Sequence, residues 1–226
     1  MPSPSVSVVI PTLNEAEGIR ELVEELVRLG ADEIVVSDGG STDGTLERVP
    51  PPARLVQGRA NRGEQMNAGA RAASGDVLLF LHADARPAPG AIDAIRRAMS
   101  GDGAVGGNLS IRYEGGDPPA RWFTRINRWR RRLGVFYGDS GIFCRRSVFE
   151  SLGGYKPYPV LEDYDFARRL RKAGRLALLD TPILVSARRW RRGGLWRTLW
   201  SWFWIQALYL LGVPPHRLAR LYRNVR

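Results

Sequence analysis

Cysteine and histidine are scarce in this 226-residue chain, which has one thiol, Cys144, and two imidazoles, His82 and His216. One cysteine allows no intrachain disulfide, which suits a reducing compartment. No Ser/His or Cys/His constellation for nucleophilic catalysis is apparent. Cys144 reads as a small buried apolar residue. Lysine is nearly absent too: Lys156 and Lys172 are two of 34 basic residues. So strong an arginine bias reads as genomic coding habit, not as a sign of phosphate binding. The start, Met1-Pro2-Ser3-Pro4-Ser5, has no basic segment followed by a long apolar one, so no secretory signal is expected. Internal repeats and low-complexity linkers are missing, and Pro50-Pro51-Pro52 reads as a rigid turn. The most apolar run, Leu199–Val213, contains Ser201 and Gln206. As a helix it would reach about 22 Å, short of the roughly 30 Å hydrocarbon core, so a single membrane span is not expected.

What is present is an ordinary globular composition, 44% apolar and 25% charged. The length suits one domain, or one domain with an appendage. The net charge of +11 is divided unevenly, −4 over residues 1–100 and +15 over residues 101–226. The basic half therefore has its own task or its own surroundings.

Along the chain, Val6–Ile10 reads as a buried strand ended by Pro11. Asn14 follows as the cap of a helix with Ile19, Leu22, Val23, Leu26 and Val27 on one face. Ile34–Ser37 is the next strand, which completes a βαβ unit and implies a parallel sheet. Further strands are expected at Leu55–Val56, Val77–Leu81, Gly106–Tyr113, Ile142–Cys144, Leu176–Leu179 and Ile183–Val185. Helices are expected at Gln65–Ala73, Ala88–Met99, Ala120–Leu133, Ser147–Leu152 and Asp163–Ala173.

Acidic residues fall at three of the expected strand ends or loops: Asp38 with Asp43 in Ser37–Thr45, Asp84, and Glu162-Asp163 with Asp165. Parallel strand ends converge on one sheet edge, where α/β proteins bind ligands. Carboxylates there can hold a divalent cation against a diphosphate. Taken singly, each Asp is as readily a cap or turn residue.

Five motifs, in order and at these spacings, resemble family 2 glycosyltransferases. They are Val8-Val9-Ile10-Pro11-Thr12-Leu13-Asn14-Glu15, Asp38–Thr45, Arg62–Gly69, Leu79-Phe80-Leu81-His82-Ala83-Asp84, and Leu161–Asp165. Within the family, Arg62–Asn67, His82–Asp84 and Ser186-Ala187-Arg188-Arg189-Trp190 are most similar to small bacterial arsenosugar-biosynthesis-type enzymes, with carotenoid-acid glycosyltransferases as a second subfamily. The resemblance spans roughly residues 5–190. It implies a GT-A fold, Rossmann-like and mostly parallel, and transfer from a nucleotide-diphosphate sugar to an acceptor hydroxyl with inversion. Pro11, Thr12, Asn14, Glu15 and Asp38 would contact the nucleotide, with Arg62 and Gln65 continuing the donor site. Asp84 would coordinate Mn²⁺ or Mg²⁺. Asp163, beside Glu162, would be the catalytic base. Gly138, Asp139, Ser140 and Trp190 would lie on the acceptor side.

Two positions depart from the family pattern. His82 replaces the usual first Asp of Asp-x-Asp. Imidazole can ligate Mn²⁺ but partners Mg²⁺ poorly, and His82 can equally hydrogen-bond the nucleotide or pack at the strand end. Ser186 stands where processive members carry Gln or Arg, which argues for non-processive transfer.

The chain therefore divides into a catalytic domain over residues 1–190 and a C-terminal helical segment over residues 191–226. Leu199–Val213, preceded by Arg188, Arg189, Arg191, Arg192 and Arg197, has two readings. It packs on the domain or on a second subunit, or it lies on an anionic membrane surface with Ala120–Leu133 as a second contact. Arg217, Arg220 and Arg223 extend the basic stripe. A cytoplasmic protein, peripheral at the inner face of the plasma membrane on the second reading, is the expectation. Competing functions are nucleotidyl transfer, non-catalytic sugar-nucleotide binding, and nucleic-acid binding. The loop Pro11–Glu15 is no phosphate cradle, and the basic charge comes without a reading module, so no nucleic-acid partner is expected.

Overall fold

Val8–Ile10 and Ile34–Val36 are continuous apolar runs, and such runs suit strands covered on both faces. The computed structural model describes residues 3–101, 103–115, 118–132, 134–185 and 195–220, and it places both runs inside an eight-stranded sheet. The strands are β1 (Val6–Thr12), β2 (Glu33–Asp38), β3 (Arg54–Gln57), β4 (Val77–Phe80), β5 (Ala85–Pro87), β6 (Gly106–Tyr113), β7 (Ile142–Arg145) and β8 (Leu176–Val185). Their order is β3-β2-β1-β4-β7-β6-β8-β5. β1 pairs in parallel with β2 and β4, β2 with β3, and β6 with β8. Only β7, between β4 and β6, and β5, beside β8, run the other way. The mixed, mostly parallel α/β sheet is the architecture expected.

The helices are α1 (Ile19–Arg28), α2 (Thr45–Arg48), α3 (Arg62–Ala72), α4 (Ala91–Met99), α5 (Pro118–Arg132), α6 (Arg146–Ser151), α7 (Glu162–Ala173), α8 (Leu195–Leu210) and α9 (Pro215–Leu218). Side chains alternate across a strand, so each sheet face gets its own core. Val8 and Ile10 of β1 join Leu22 and Leu26 of α1, Ile92 and Ile95 of α4 and Phe123 of α5 on one face. Val9 joins Met66 of α3, Phe149 of α6 and Phe166 and Leu170 of α7 on the other. α3 lies close against the sheet because Gly69 has no side chain: a Cβ there would stand 2.4 Å from Val9 Cγ1.

Several expected boundaries are corrected. β1 continues through Pro11 to Thr12. The β1/β4 ladder ends at the pair Val9 and Phe80, so the N–H that Pro11 lacks has no strand to bond on that side. Asn14 does not cap α1, which begins at Ile19 after Gly18 without a side-chain cap. Instead Asn14 sits at φ 57° and its Oδ1 accepts from the Thr42 amide, joining two loops at the sheet edge. α4 starts at Ala91, after Gly90 at φ 80°. The two expected strands near the end are one strand, β8, whose register shifts opposite Asn108 and Ser110. The short edge strand β5 was not anticipated.

Strand direction decides what meets at the edge. β1, β2 and β4 all end there. β7 starts there because it is antiparallel to β4, with Ile142 opposite Phe80. The 3-10 turn Gly138–Ser140 that leads into β7 therefore lies beside His82, which follows β4.

Candidate active site

The ends of β1 and β2 form a firmly bonded corner. Asp38, fully buried, accepts from Thr12 Oγ1 at 3.1 Å, the Gly40 amide at 2.7 Å, the Ser41 amide at 2.8 Å, and Ser41 Oγ. Burial opposes ionisation of Asp38, but the hydrogen bonds from Ser41, Gly40 and Thr12 outweigh it and hold its pKa below the ordinary aspartate value. Asp38 thus shapes the Ser37–Thr45 loop. Gln65 is buried in the same corner, where its Nε2 donates to the carbonyls of Thr12 at 2.7 Å and Ser37 at 3.0 Å. Asn14 donates its amide to Ser41 Oγ at 2.8 Å, and the Glu15 amide donates to Thr45 Oγ1 at 2.9 Å. Pro11 is half-buried and Asn14 exposed at the rim.

Across the edge, Leu161 has φ 63°, an uncommon conformation for a branched side chain, and it turns the chain into α7. The first two helical residues are Glu162 and Asp163. Glu162 is buried and pairs with Arg62 Nη1 at 3.0 Å. Burial raises the Glu162 pKa, Arg62 opposes this, and the charge of Asp163 adds to the rise. Asp163 accepts from the Gly138 amide at 2.7 Å on Oδ2 and from the Tyr164 amide at 2.7 Å on Oδ1.

The Asp163 carboxylate, the His82 imidazole and the turn meet at Gly138. A Cβ built on it would lie 2.7 Å from His82 Nε2 and 3.1 Å from Asp163 Oδ2. Gly138→Ala is expected to displace one of them and lower turnover by up to about 100-fold, with the melting temperature little changed. Undiminished kcat in that variant would show that both side chains have room to yield. In the same turn Ser140 is buried and donates to the Tyr137 carbonyl at 2.6 Å, and Asp139 is half-buried. Trp190 lies outside the described residues.

The C-terminal helix reaches this place. Burial raises the Tyr137 phenol to about 12, so it stays protonated and donates to Gln206 Oε1 of α8 at 2.8 Å. Arg130 of α5 also contacts Tyr137 and Gln206. Tyr137 stacks on Tyr164, the neighbour of Asp163, with centroids 5.6 Å apart. Tyr209 of α8 donates to Asp165 Oδ1 at 3.0 Å, and Asp165 also pairs with Arg169 at 2.7 Å. Tyr137 and Tyr209 were not singled out from the sequence, and Gln206 only as a polar residue in an apolar run. The one signal that could have found Tyr137 is its place next to Gly138.

Divalent metal chemistry would fall to His82 and Asp84. Asp84 is exposed in the turn after β4 and His82 is half-buried. Among the described residues no three His, Cys, Asp or Glu side chains form a metal cluster. The described residues thus offer at most a one- or two-donor seat. That is how a cation bound chiefly through substrate phosphates is held, so the residues fit such an ion.

The family model described as glycosyl transferase family 2 matches residues 7–153. A PGL/p-HBAD biosynthesis glycosyltransferase of Mycobacterium bovis is 33% identical over 183 residues, covering 74% of this chain and 69% of the relative. The mannosyltransferase PcManGT of Pyrobaculum calidifontis, solved with GDP-Man and Mn²⁺, superposes with a TM-score of 0.64 at 24% identity. That match covers 81% of this chain and 57% of the mannosyltransferase. Glucosyl-3-phosphoglycerate synthase of Mycobacterium tuberculosis, solved with Mn²⁺, UDP and its product, gives 0.58 at 24%, covering 79% and 70%. At these identities the two structures speak for the fold.

Proposed function

Because this chain belongs to glycosyl transferase family 2, we propose that it moves a sugar from a nucleotide-diphosphate donor to an acceptor hydroxyl, once per encounter and with inversion. The observation that carries this reading is the position of Asp163. It is a first-turn carboxylate of α7, fixed by the Gly138 amide beside His82, at the edge where β1, β2 and β4 end.

In the reaction the acceptor oxygen attacks the anomeric carbon from the face opposite the leaving nucleoside diphosphate. Its proton passes to a carboxylate oxygen of Asp163. A single displacement needs no covalent nucleophile. Thr12, Asn14, Glu15 and Pro11 would line the nucleotide, on a loop that Asp38 and Gln65 already hold in shape. Arg62 keeps Glu162 paired, so Glu162 serves by steadying the start of α7. Gly138, Asp139 and Ser140 would face the acceptor.

A divalent cation, when bound, offsets charge on the leaving diphosphate. His82 and Asp84 would hold it, and a nitrogen donor favours Mn²⁺ over Mg²⁺. The acceptor is proposed to be a small or lipidic alcohol, and the subfamily to be the arsenosugar-biosynthesis or carotenoid-acid type.

The test is nucleoside diphosphate release from a panel of nucleotide sugars with Mn²⁺ or Mg²⁺. Lack of both binding and turnover with every donor would sink the reading. Asp84→Asn should remove the metal-dependent part of donor affinity, measured by calorimetry with and without Mn²⁺. An affinity that still responds to Mn²⁺ as in the wild type would take Asp84 out of the metal site.

A further inference from the structure

Helix α8 is apolar on nearly every side, and a helix of that kind needs cover all round. Protein covers one side of it. There Ile205 is buried, Gln206 accepts from Tyr137, and Tyr209 donates to Asp165. The opposite side carries Trp200, Trp204 and Leu211, spaced four and seven residues apart and therefore on one stripe. They are 59%, 53% and 81% exposed, and the two indoles stack with centroids 6.4 Å apart. Leu210 is exposed as well. Where α5 meets α8, at the Arg130–Gln206 contact of 3.3 Å, α5 adds Trp129 at 63% exposure.

The charge that α5 and α8 themselves carry has one sign, with the exposed Asp180 paired to Arg131 of α5. α5 contains no Asp or Glu, and neither does the chain from Leu195 to Arg220. Arg125, Arg128 and Arg132 of α5 and Arg217 and Arg220 near α9 are exposed.

We propose that this face docks on an anionic lipid bilayer. α8 lies in the plane of the surface, the indoles sit at headgroup level, and the arginines meet lipid phosphates. Indole rings suit that boundary because one part is apolar and one edge donates a hydrogen bond. A negative lipid surface attracts basic residues within a Debye length. Among the described residues no helix is long and apolar enough to cross a membrane, so α8 lies on the bilayer and not through it.

Two other occupants fit less well. A second copy packed about a two-fold axis would set this arginine-rich face against itself, with no carboxylate on α5 or α8 to offset the repulsion. A single-stranded nucleic acid could stack on the indoles but would leave Leu210 and Leu211 uncovered. Docking places the Gly138–Ser140 turn near the lipid, since Gln206 holds Tyr137 beside it. That consequence rests on the glycosyl-transfer reading, whereas the docking itself does not.

The full chain should co-sediment with phosphatidylglycerol vesicles at about 0.1 M salt and dissociate near 1 M, where the Debye length shrinks from about 10 to about 3 Å. Phosphatidylcholine vesicles should bind it at least about tenfold more weakly, given the contribution of each basic residue near an anionic surface. Brominated phosphatidylglycerol should quench its tryptophan fluorescence. Trp200→Ser with Trp204→Ser, checked by circular dichroism for an unchanged fold, should lose both signals while keeping donor binding. Absence of wild-type binding to either vesicle would overturn the proposal. So would equal binding to both, or vesicle binding that survives in the double variant. Dimerisation, or binding of a single-stranded oligonucleotide, that the double variant abolishes while vesicles are ignored would give the face to those partners instead.

Discussion

Asp163→Asn is expected to lower kcat for sugar transfer by about 10²- to 10⁴-fold while donor affinity stays at the wild-type level. The substitution keeps the shape of the side chain. Its one amide oxygen can still accept from Gly138, as Asp163 Oδ2 does at 2.7 Å, while the bond from the Tyr164 amide to Oδ1 is given up. The ability to take a proton disappears with it. The corner proposed for the donor is built from other residues, Thr12, Asp38, Ser41 and Gln65, and none of them bonds to Asp163. Steady-state kinetics at saturating acceptor, with donor binding followed separately, divides the two effects. A variant with full kcat would remove Asp163 from the chemistry. A variant that loses donor binding along with turnover would reassign it to the nucleotide.

The largest stability effect is expected from Arg62→Met, a loss of about 3 kcal/mol. Arg62 leaves part of its guanidinium in solvent, but the Glu162 side chain is 3% exposed, and without Arg62 its charge would be buried without that partner. The pH dependence follows from burial, which raises the Glu162 pKa above its ordinary value of 4.5, with Arg62 as the chief opposing influence. A raised native pKa means that the folded chain holds a proton the unfolded chain has released. The stability tied to that proton is complete below 4.5 and is lost as pH climbs through the native value. Removing Arg62 lifts the native value further, so the deficit of the variant should be small in acid and full at neutral pH. Urea unfolding at pH 5 and pH 8 measures this, and a deficit independent of pH would show that the pair does not govern it. Arg62→Met with Glu162→Gln should recover much of the loss, because the buried charge is then gone.

The sequence made the left half of the sheet legible and much of the right half less so, for a physical reason. β1, β2 and β4 each hold a run of apolar residues, the periodic α1 joins the first two, and local pattern suffices for them. β5 is three residues long, too short for any alternation to register, and Pro87 in it is tolerated because the strand lies at the sheet edge. β8 contains Asp180-Thr181-Pro182, which reads as a turn, yet pairing with β6 and a register shift keep it one strand. Asn14 looked like a cap because local chemistry favours it, but the bond it makes is to a loop 28 residues away.

In the site, motif spacing pointed to Asp163, Asp38 and Asp84 individually. It could not supply the Gly138–Asp163 hydrogen bond, which depends on the reversal of β7, nor the grip of Gln206 and Tyr209, which depends on where α8 comes to rest. No short-range pattern records that Gln65 ties two strand ends together, or that Asp38 spends its hydrogen-bonding capacity on its own loop.

The change of strand direction between β4 and β7 divides the molecule's labour along its length. The corner around Thr12, Asp38 and Gln65 comes wholly from residues before 100, on strands running one way. The Gly138 turn, α7 and the arm formed by α8 come wholly from residues after it. The two parts are stitched together by the β4–β7 and β5–β8 ladders and by bonds such as those of Arg62 to Glu162 and Asn67 to Tyr155. On the proposed reading the later part meets the acceptor and the earlier part the donor, so substitutions around the Gly138 turn and α8 should alter acceptor choice more than donor affinity.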